Sequence, residues 1–322
     1  MPNKRSQATF IPAFFTCRSL RWHTKPTYIN APATGVSFHI TKGISVKYVY
    51  LIPLLLSLIY SGDAIAQHPG KPGENAPGGV EVHIPSDDLT IYGLLYRAKK
   101  DSDKAPGVVI VHGWAPYNIS PIEEYSYVAR EYAEAGYNAL AITLRGWKPT
   151  GGNDDCGLKQ PKDVINAAKW LAKQPGVNPD KIALMGQSLG GQVVLSAAAL
   201  DNIIKVTAAY FPITEFRLWG VTTSLPQAAL DDYIYGMCAE NGTPEDRSPY
   251  YSSRKIRGAV LLLHGEYDTN VVLAHSKLMH QKMVEDKQDV TLYVAKKGGH
   301  GSGGEGWENH NQIVFKFFDH KL

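Results

Sequence analysis

The residues Gly186-Gln187-Ser188-Leu189-Gly190 stand between the apolar run "KIALM" (181–185) and the small-residue stretch "GGQVVLSAAAL" (190–200). A serine on such a strand-to-helix turn is held in a strained backbone conformation with its hydroxyl presented, and the flanking glycines let strand and helix approach. A serine hydroxyl is a poor nucleophile near neutral pH. It needs a base to take its proton and an acid to hold that base in the right tautomer. On a parallel sheet these partners come from loops at the carboxyl ends of later strands. "LLLHGEYDTNV" places Asp268 three residues past Gly265, just after one apolar run, and "VAKKGGHGSGG" places His300 just after the next. The chain order Ser, Asp, His is that of a hydrolase elbow. Ser188 is therefore expected as nucleophile, His300 as base and Asp268 as the orienting acid, with Glu266 as the rival acid nearer the strand end.

The oxyanion that forms on attack needs preorganised donors. Two backbone N–H groups are placed for it: Leu189, directly after the nucleophile, and Trp114, in the "HGW" loop (112–114) after the first buried run. Tyr117 could donate instead through its hydroxyl. Trp114, Tyr117 and Trp219 are candidate pocket walls, with core packing as the competing role. His112 reads as support for the oxyanion loop, while His83, His264, His280, His310 and His320 read as packed or solvated. Gly299, Gly301 and Gly304 mimic a dinucleotide fingerprint, but only 18 residues follow Gly304, too few for the rest of a βαβ unit. They are expected to let a loop carry His300 over the serine. No cofactor is expected, and no Cys/His cluster has metal-ligand spacing.

The surrounding elements alternate. "VEVHIP" (80–85) and "LTIYGLLYR" (89–97) flank Ser86-Asp87-Asp88 as a hairpin. Strands follow at "GVVIVHG" (107–113), "YNALAITLRG" (137–146), "KIALMG" (181–186), "KVTAAYFP" (205–212), "GAVLLLHG" (258–265) and "DVTLYVAK" (289–296). Helices are expected at 121–136, 161–174, 190–200, 271–283 and 309–321. This rhythm predicts an α/β fold, a mostly parallel central sheet with helices on both faces. Residues 213–257 break it and are expected as a small insertion over the active site.

The front of the chain reads differently. No Asp or Glu precedes Asp63, seven Lys and Arg do, and the uncharged "YVYLIPLLLSLIYSG" (48–62) leads to Ala64-Ile65-Ala66. This is the pattern of a signal peptide cleaved after Ala66; a spanning helix would need about 20 apolar residues. Residues 1–45 exceed what such a leader carries, and a start at Val46 would leave a compact one. "QHPGKPGENAPGG" (67–79) is expected as a flexible tether, ahead of a catalytic domain at 80–322. The leader holds seven of the 33 Lys and Arg and one of the 30 acids, leaving 26 against 29, about minus three. Nothing in that balance suggests nucleic acid, and no stable membrane insertion is expected after cleavage. An exported chain with Cys156 and Cys238 is expected to pair them.

From about residue 88 to the end, the chain resembles the α/β-hydrolase superfamily, with its nearest likeness to the dienelactone-hydrolase-like and prolyl-oligopeptidase-like branches. "WLAKQPGVNPDKIALMGQSLGG", "SPYYSSRKIRGAVLLLHGEYDTNV", "GGH" and "LRGW" (144–147) carry the likeness. Dienelactone hydrolase proper uses a cysteine where this chain has Ser188, so dienelactones are not the expected substrate. Only 27 residues (80–106) separate the tether from the first parallel strand, which argues against a propeller-gated oligopeptidase. The Asp-, Glu- and Tyr-rich insertion is unlike an apolar lipase lid. The expected activity is cleavage of small to medium carboxylic esters through an acyl-enzyme. A small peptidase or amidase, an acyltransferase, and a non-catalytic binding protein are the alternatives.

Overall fold

The computed structural model describes residues 74–322 except 100–103, 232, 235–237 and 239–241. The leader expected at 1–66 and the first part of the tether, 67–73, lie outside the described residues. Within the remainder of the expected tether, one residue is anchored. Ala76 is buried, its N–H donates to Ser126 Oγ at 2.8 Å, and its carbonyl accepts from Tyr96 Oη at 2.6 Å.

Eight strands form one sheet in the order β1-β2-β4-β3-β5-β6-β7-β8. β1 (Val80–Ser86) and β2 (Leu89–Tyr96) are the expected hairpin, turning where Asp87 takes φ 49°, a conformation aspartate tolerates better than most residues. β2 also runs antiparallel to β4 (Asn138–Ile142). From there the pairing is parallel through β3 (Ala105–Val111), β5 (Val177–Gln187), β6 (Ile204–Tyr210), β7 (Ala259–Gly265) and β8 (Val290–Ala295). β4 and β7 are buried at every residue, as central parallel strands must be, whereas edge β1 alternates.

Two strand boundaries shift most from the sequence reading. β5 begins at Val177 rather than 181 because Val177 pairs with Ala105 across an irregularity that the intervening Asn-Pro-Asp accommodates. β4 ends at Ile142 because the chain turns away through Gly146, at φ 99°.

Alternation along β3 separates two cores. Val109 and Val111 face α2 (Gln160–Ala172), α3 (Leu189–Ala198) and, farther along the sheet, α7 (Ala274–Glu285); Val108 and Ile110 face α1 (Ile122–Ala135) and α8 (His310–Lys321). The insertion folds as short helices, α4 (Phe216–Thr222), α5 (Gln227–Leu230) and α6 (Pro249–Ser252), with its own core of Ile213, Phe216, Trp219, Leu230, Tyr233 and Ile234. Among the described residues no helix is long and apolar enough to cross a membrane.

A disulfide joins Cys156, in the loop after β4, to Cys238 in the insertion, with both residues fully buried and their Cα atoms 5.7 Å apart. The link spans 82 residues of sequence, a long loop whose closure restricts the unfolded chain strongly. Replacing both cysteines by alanine is expected to lower the unfolding free energy by about 2–4 kcal/mol. Denaturant midpoints under non-reducing conditions read this directly, and an unchanged midpoint would refute a stapling role.

Candidate active site

The site is assembled at the carboxyl ends of β3, β5, β7 and β8. Ser188 lies between β5 and α3 at φ 53°, ψ −115°, a conformation strained for a residue with a side chain. The close approach is backbone on backbone: a Cβ on Gly186 would collide with the Gly190 carbonyl, and one on Gly190 with the carbonyls of Val111 and His112. The Ser188 N–H is spent on the Tyr210 carbonyl of β6 at 2.9 Å, which pins the elbow to the sheet.

The structure brings Ser188, His300 and Asp268 together. His300 Nδ1 is 2.8 Å from Asp268 Oδ2, and its Nε2 is 3.1 Å from Ser188 Oγ. A carboxylate only accepts, so Nδ1 carries the proton and Nε2 is left to accept from the serine hydroxyl. Asp268 Oδ1 accepts from the N–H groups of Asn270 and Val271, each at 2.9 Å. Burial pushes the Asp268 carboxyl up, but the His300 charge and hydrogen bonds from His264 and His300 outweigh it, holding the group well below the usual carboxylate range. The Phe211 ring lies 4.6 Å from the His300 ring, centroid to centroid. The rival acid, Glu266, is exposed and accepts instead from the Lys297 N–H at 3.3 Å.

Beside the serine, the Leu189 N–H opens α3, where the helix dipole favours negative charge. Trp114 lies on the loop after β3, and that loop is held by two neighbours. His112 Nδ1 donates to the Gly113 carbonyl at 2.6 Å, and its Nε2 accepts from the Leu144 N–H at 3.0 Å. Burial lowers the His112 pKa to about 4, so the ring is neutral and can play both parts near neutral pH. Trp147 Nε1 donates to the Ala115 carbonyl at 2.7 Å. The "LRGW" stretch thus braces the oxyanion loop.

Tyr117 does not offer the hydroxyl donor entertained as an alternative to Trp114. Its hydroxyl donates to Asp154 Oδ2 at 3.0 Å, and a hydroxyl has one proton to give. Trp219 is buried in the insertion core, its Nε1 donating to the Asn270 carbonyl at 3.0 Å and its ring edge-on to Phe216 and Tyr233. Trp114 packs against that core from the catalytic side.

Sequence reasoning passed over Asp154. Its carboxylate also accepts from Tyr233 Oη, the Cys156 N–H and Gln160 Nε2, so it ties the oxyanion loop, the insertion and the disulfide loop to one point. Burial raises its pKa to about 6 against the pull of these donors. Only the cysteine two residues on could have drawn attention to it. His264, read as packed, is buried behind Asp268. Its Nε2 donates to the Val271 carbonyl at 2.7 Å and lies 3.4 Å from Asp268 Oδ2, while Nδ1 meets Ser276 Oγ at 2.7 Å.

Residues 123–322 match the prolyl oligopeptidase family. The chain belongs to that family. As a member it is a serine hydrolase on the α/β-hydrolase fold. It is 27% identical over 157 residues to an uncharacterized peptidase, YtmA, of Bacillus subtilis (strain 168), covering 48% of this chain and 60% of that one. It is 30% identical over 177 residues to a polyketide transferase of Gibberella fujikuroi, covering 52% and 53%. The chain thus spans little more than half the length of these curated relatives. Among solved structures, the Pyrococcus horikoshii acylaminoacyl peptidase superposes with a TM-score of 0.65 at 20% identity, over 76% of this chain and 42% of that one. At that identity the likeness is one of fold.

Proposed function

We propose that this family member is an exported hydrolase of small to medium carboxylic esters. The observation that carries the reading is the continuous hydrogen-bonded line from Asp268 through His300 to Ser188 Oγ. Ser188 Oγ attacks the ester carbonyl while His300 Nε2 takes its proton, and the carbonyl oxygen, now negative, meets the Leu189 and Trp114 N–H groups. His300 returns the proton to the leaving alkoxide, giving an alcohol and the Ser188 acyl-enzyme. Water then attacks the acyl carbon, again giving its proton to His300, and Ser188 leaves as a hydroxyl. Export is supported by the leader pattern and by a buried disulfide, a bond that persists in oxidising compartments.

Amide cleavage is the second reading. It draws on the family and on its relative YtmA, named as a peptidase. Acyl transfer to an alcohol would use the same acyl-enzyme, and another relative is named a polyketide transferase.

The test is a series of p-nitrophenyl esters, acetate to decanoate, beside p-nitroanilides of matched acyl groups, with and without an added alcohol. The expected result is higher kcat/KM for the esters, falling off with the longer chains, and water as the preferred acceptor. Faster cleavage of the anilides would replace the ester reading by the amide one, and preferred capture by the alcohol would make the protein a transferase.

A further inference from the structure

The residue between the first glycine and the serine of the elbow has a side chain bonded to helix α1 and to the histidine loop. Gln187 closes β5 and is buried. Its Oε1 accepts from Tyr125 Oη at 2.9 Å, and its Nε2 donates to Ser302 Oγ at 3.1 Å. Tyr125 Oη in turn accepts from the Gly113 N–H at 3.0 Å. These bonds fix which end of the amide faces which partner: the tyrosine hydroxyl, with a lone pair engaged by Gly113, directs its proton at the amide oxygen.

The result is one buried line, Gly113 N–H to Tyr125 to Gln187 to Ser302, running beneath the reacting groups. Gly113 precedes Trp114, Gln187 precedes Ser188, and Ser302 follows His300 by two residues. Each end of the line is therefore within a residue or two of a group that must be placed for acyl transfer. The line also engages the Gly113 N–H, the one just before the proposed oxyanion donor. Tyr125 and Ser302 are buried as well, so an unmade bond here is not replaced by water without rearrangement.

We infer that Gln187 is a positioning residue that sets the oxyanion loop, the nucleophile and the histidine loop at their mutual distances. This rests on the proposed roles of Ser188, His300 and Trp114. A misplacement of about 1 Å in such a site can cost about 10²-fold in rate. Removing the amide should act on the chemical step rather than on binding, since both ends of the Gln187 amide are bonded within the protein.

The test uses the full chain with Gln187→Met, Gln187→Glu, Ser302→Ala and the Gln187→Met/Ser302→Ala pair. Two rates are read: ester turnover, and labelling of Ser188 by a fluorophosphonate, which needs an activated serine whichever acyl bond is the natural one. Gln187→Met is expected to slow both by about 10²-fold with KM changed less than about threefold. Gln187→Glu keeps acceptors for Tyr125 and for a rotated Ser302 hydroxyl, and should recover most of the labelling rate. Ser302→Ala should cost about tenfold alone and little more on top of Gln187→Met, because both break the same line.

Wild-type labelling at Ser188 with an unchanged rate in Gln187→Met overturns this inference and leaves the nucleophile intact. Multiplying effects in the pair also overturn it. Absence of wild-type labelling overturns the nucleophile reading and this one with it. Should Gln187→Met fail to fold, Ser302→Ala carries the test with Tyr125→Phe, whose effects must then be less than multiplicative.

Discussion

Replacing Ser188 by alanine is expected to lower kcat on the preferred p-nitrophenyl ester by about 10⁶-fold, with the fold unchanged. The size follows from what the substitution removes. Without Oγ there is no acyl-enzyme, and His300 loses the hydroxyl its Nε2 meets at 3.1 Å. The residual rate would come from the backbone N–H groups and from binding, which the change does not touch. Alanine should if anything be easier to fold here than a larger residue, although it inherits the φ of 53° at that position. The measurement is steady-state turnover by purified wild type and variant, with intact-mass analysis after brief substrate exposure to look for the acyl adduct. A variant within tenfold of wild type, or an adduct that survives the substitution, would remove Ser188 from the nucleophile role.

Asp268→Asn is expected to cost about 10⁴-fold in kcat while leaving the loops in place. The surrounding hydrogen bonds explain why so small a change should do so much. Two backbone N–H groups, from Asn270 and Val271, point at Oδ1. An asparagine in this position turns its oxygen toward those donors, which puts its NH₂ where Oδ2 stood. That NH₂ faces His300 Nδ1 and favours the tautomer with Nδ1 bare and the proton on Nε2. A protonated Nε2 cannot take the proton of Ser188.

The same geometry gives the sign of the pH dependence in the wild type. Asp268 is held well below the usual carboxylate range, so it remains ionised as the pH falls through the region where imidazoles take up protons. A protonated imidazole has no acceptor to offer, and kcat/KM should therefore fall as the pH is lowered, along a single-proton curve. Kinetics from pH 5 to 8 for both proteins check this. A flat wild-type profile would contradict a histidine base, and a variant as active as wild type would show that the carboxylate orients nothing.

Much of this site was legible because its signals are local. The elbow needs glycines within two residues of the serine, and the reason is the backbone collision that a Cβ at Gly186 or Gly190 would cause. Asp268 and His300 could be named because a parallel sheet collects the carboxyl ends of its strands on one side. Trp147 entered only as part of the "LRGW" likeness, with no role assigned, and the structure supplies one in its bond to the Ala115 carbonyl. Within the tether, proline and glycine suggest mobility, and what anchors Ala76 is Ser126, 50 residues away.

What the sequence determined by itself was the order of elements, the strained turn and the identity of the groups able to exchange a proton, since each depends on neighbours a few residues apart. Which distant polar groups meet was decided only by the tertiary structure. Gln187 lies 62 residues from Tyr125 and 115 from Ser302, and Asp154 lies 79 from Tyr233. Side chains so far apart carry no periodicity that links them. Their hydrogen bonds exist because packing has already closed the intervening chain and excluded the water that would otherwise have satisfied them.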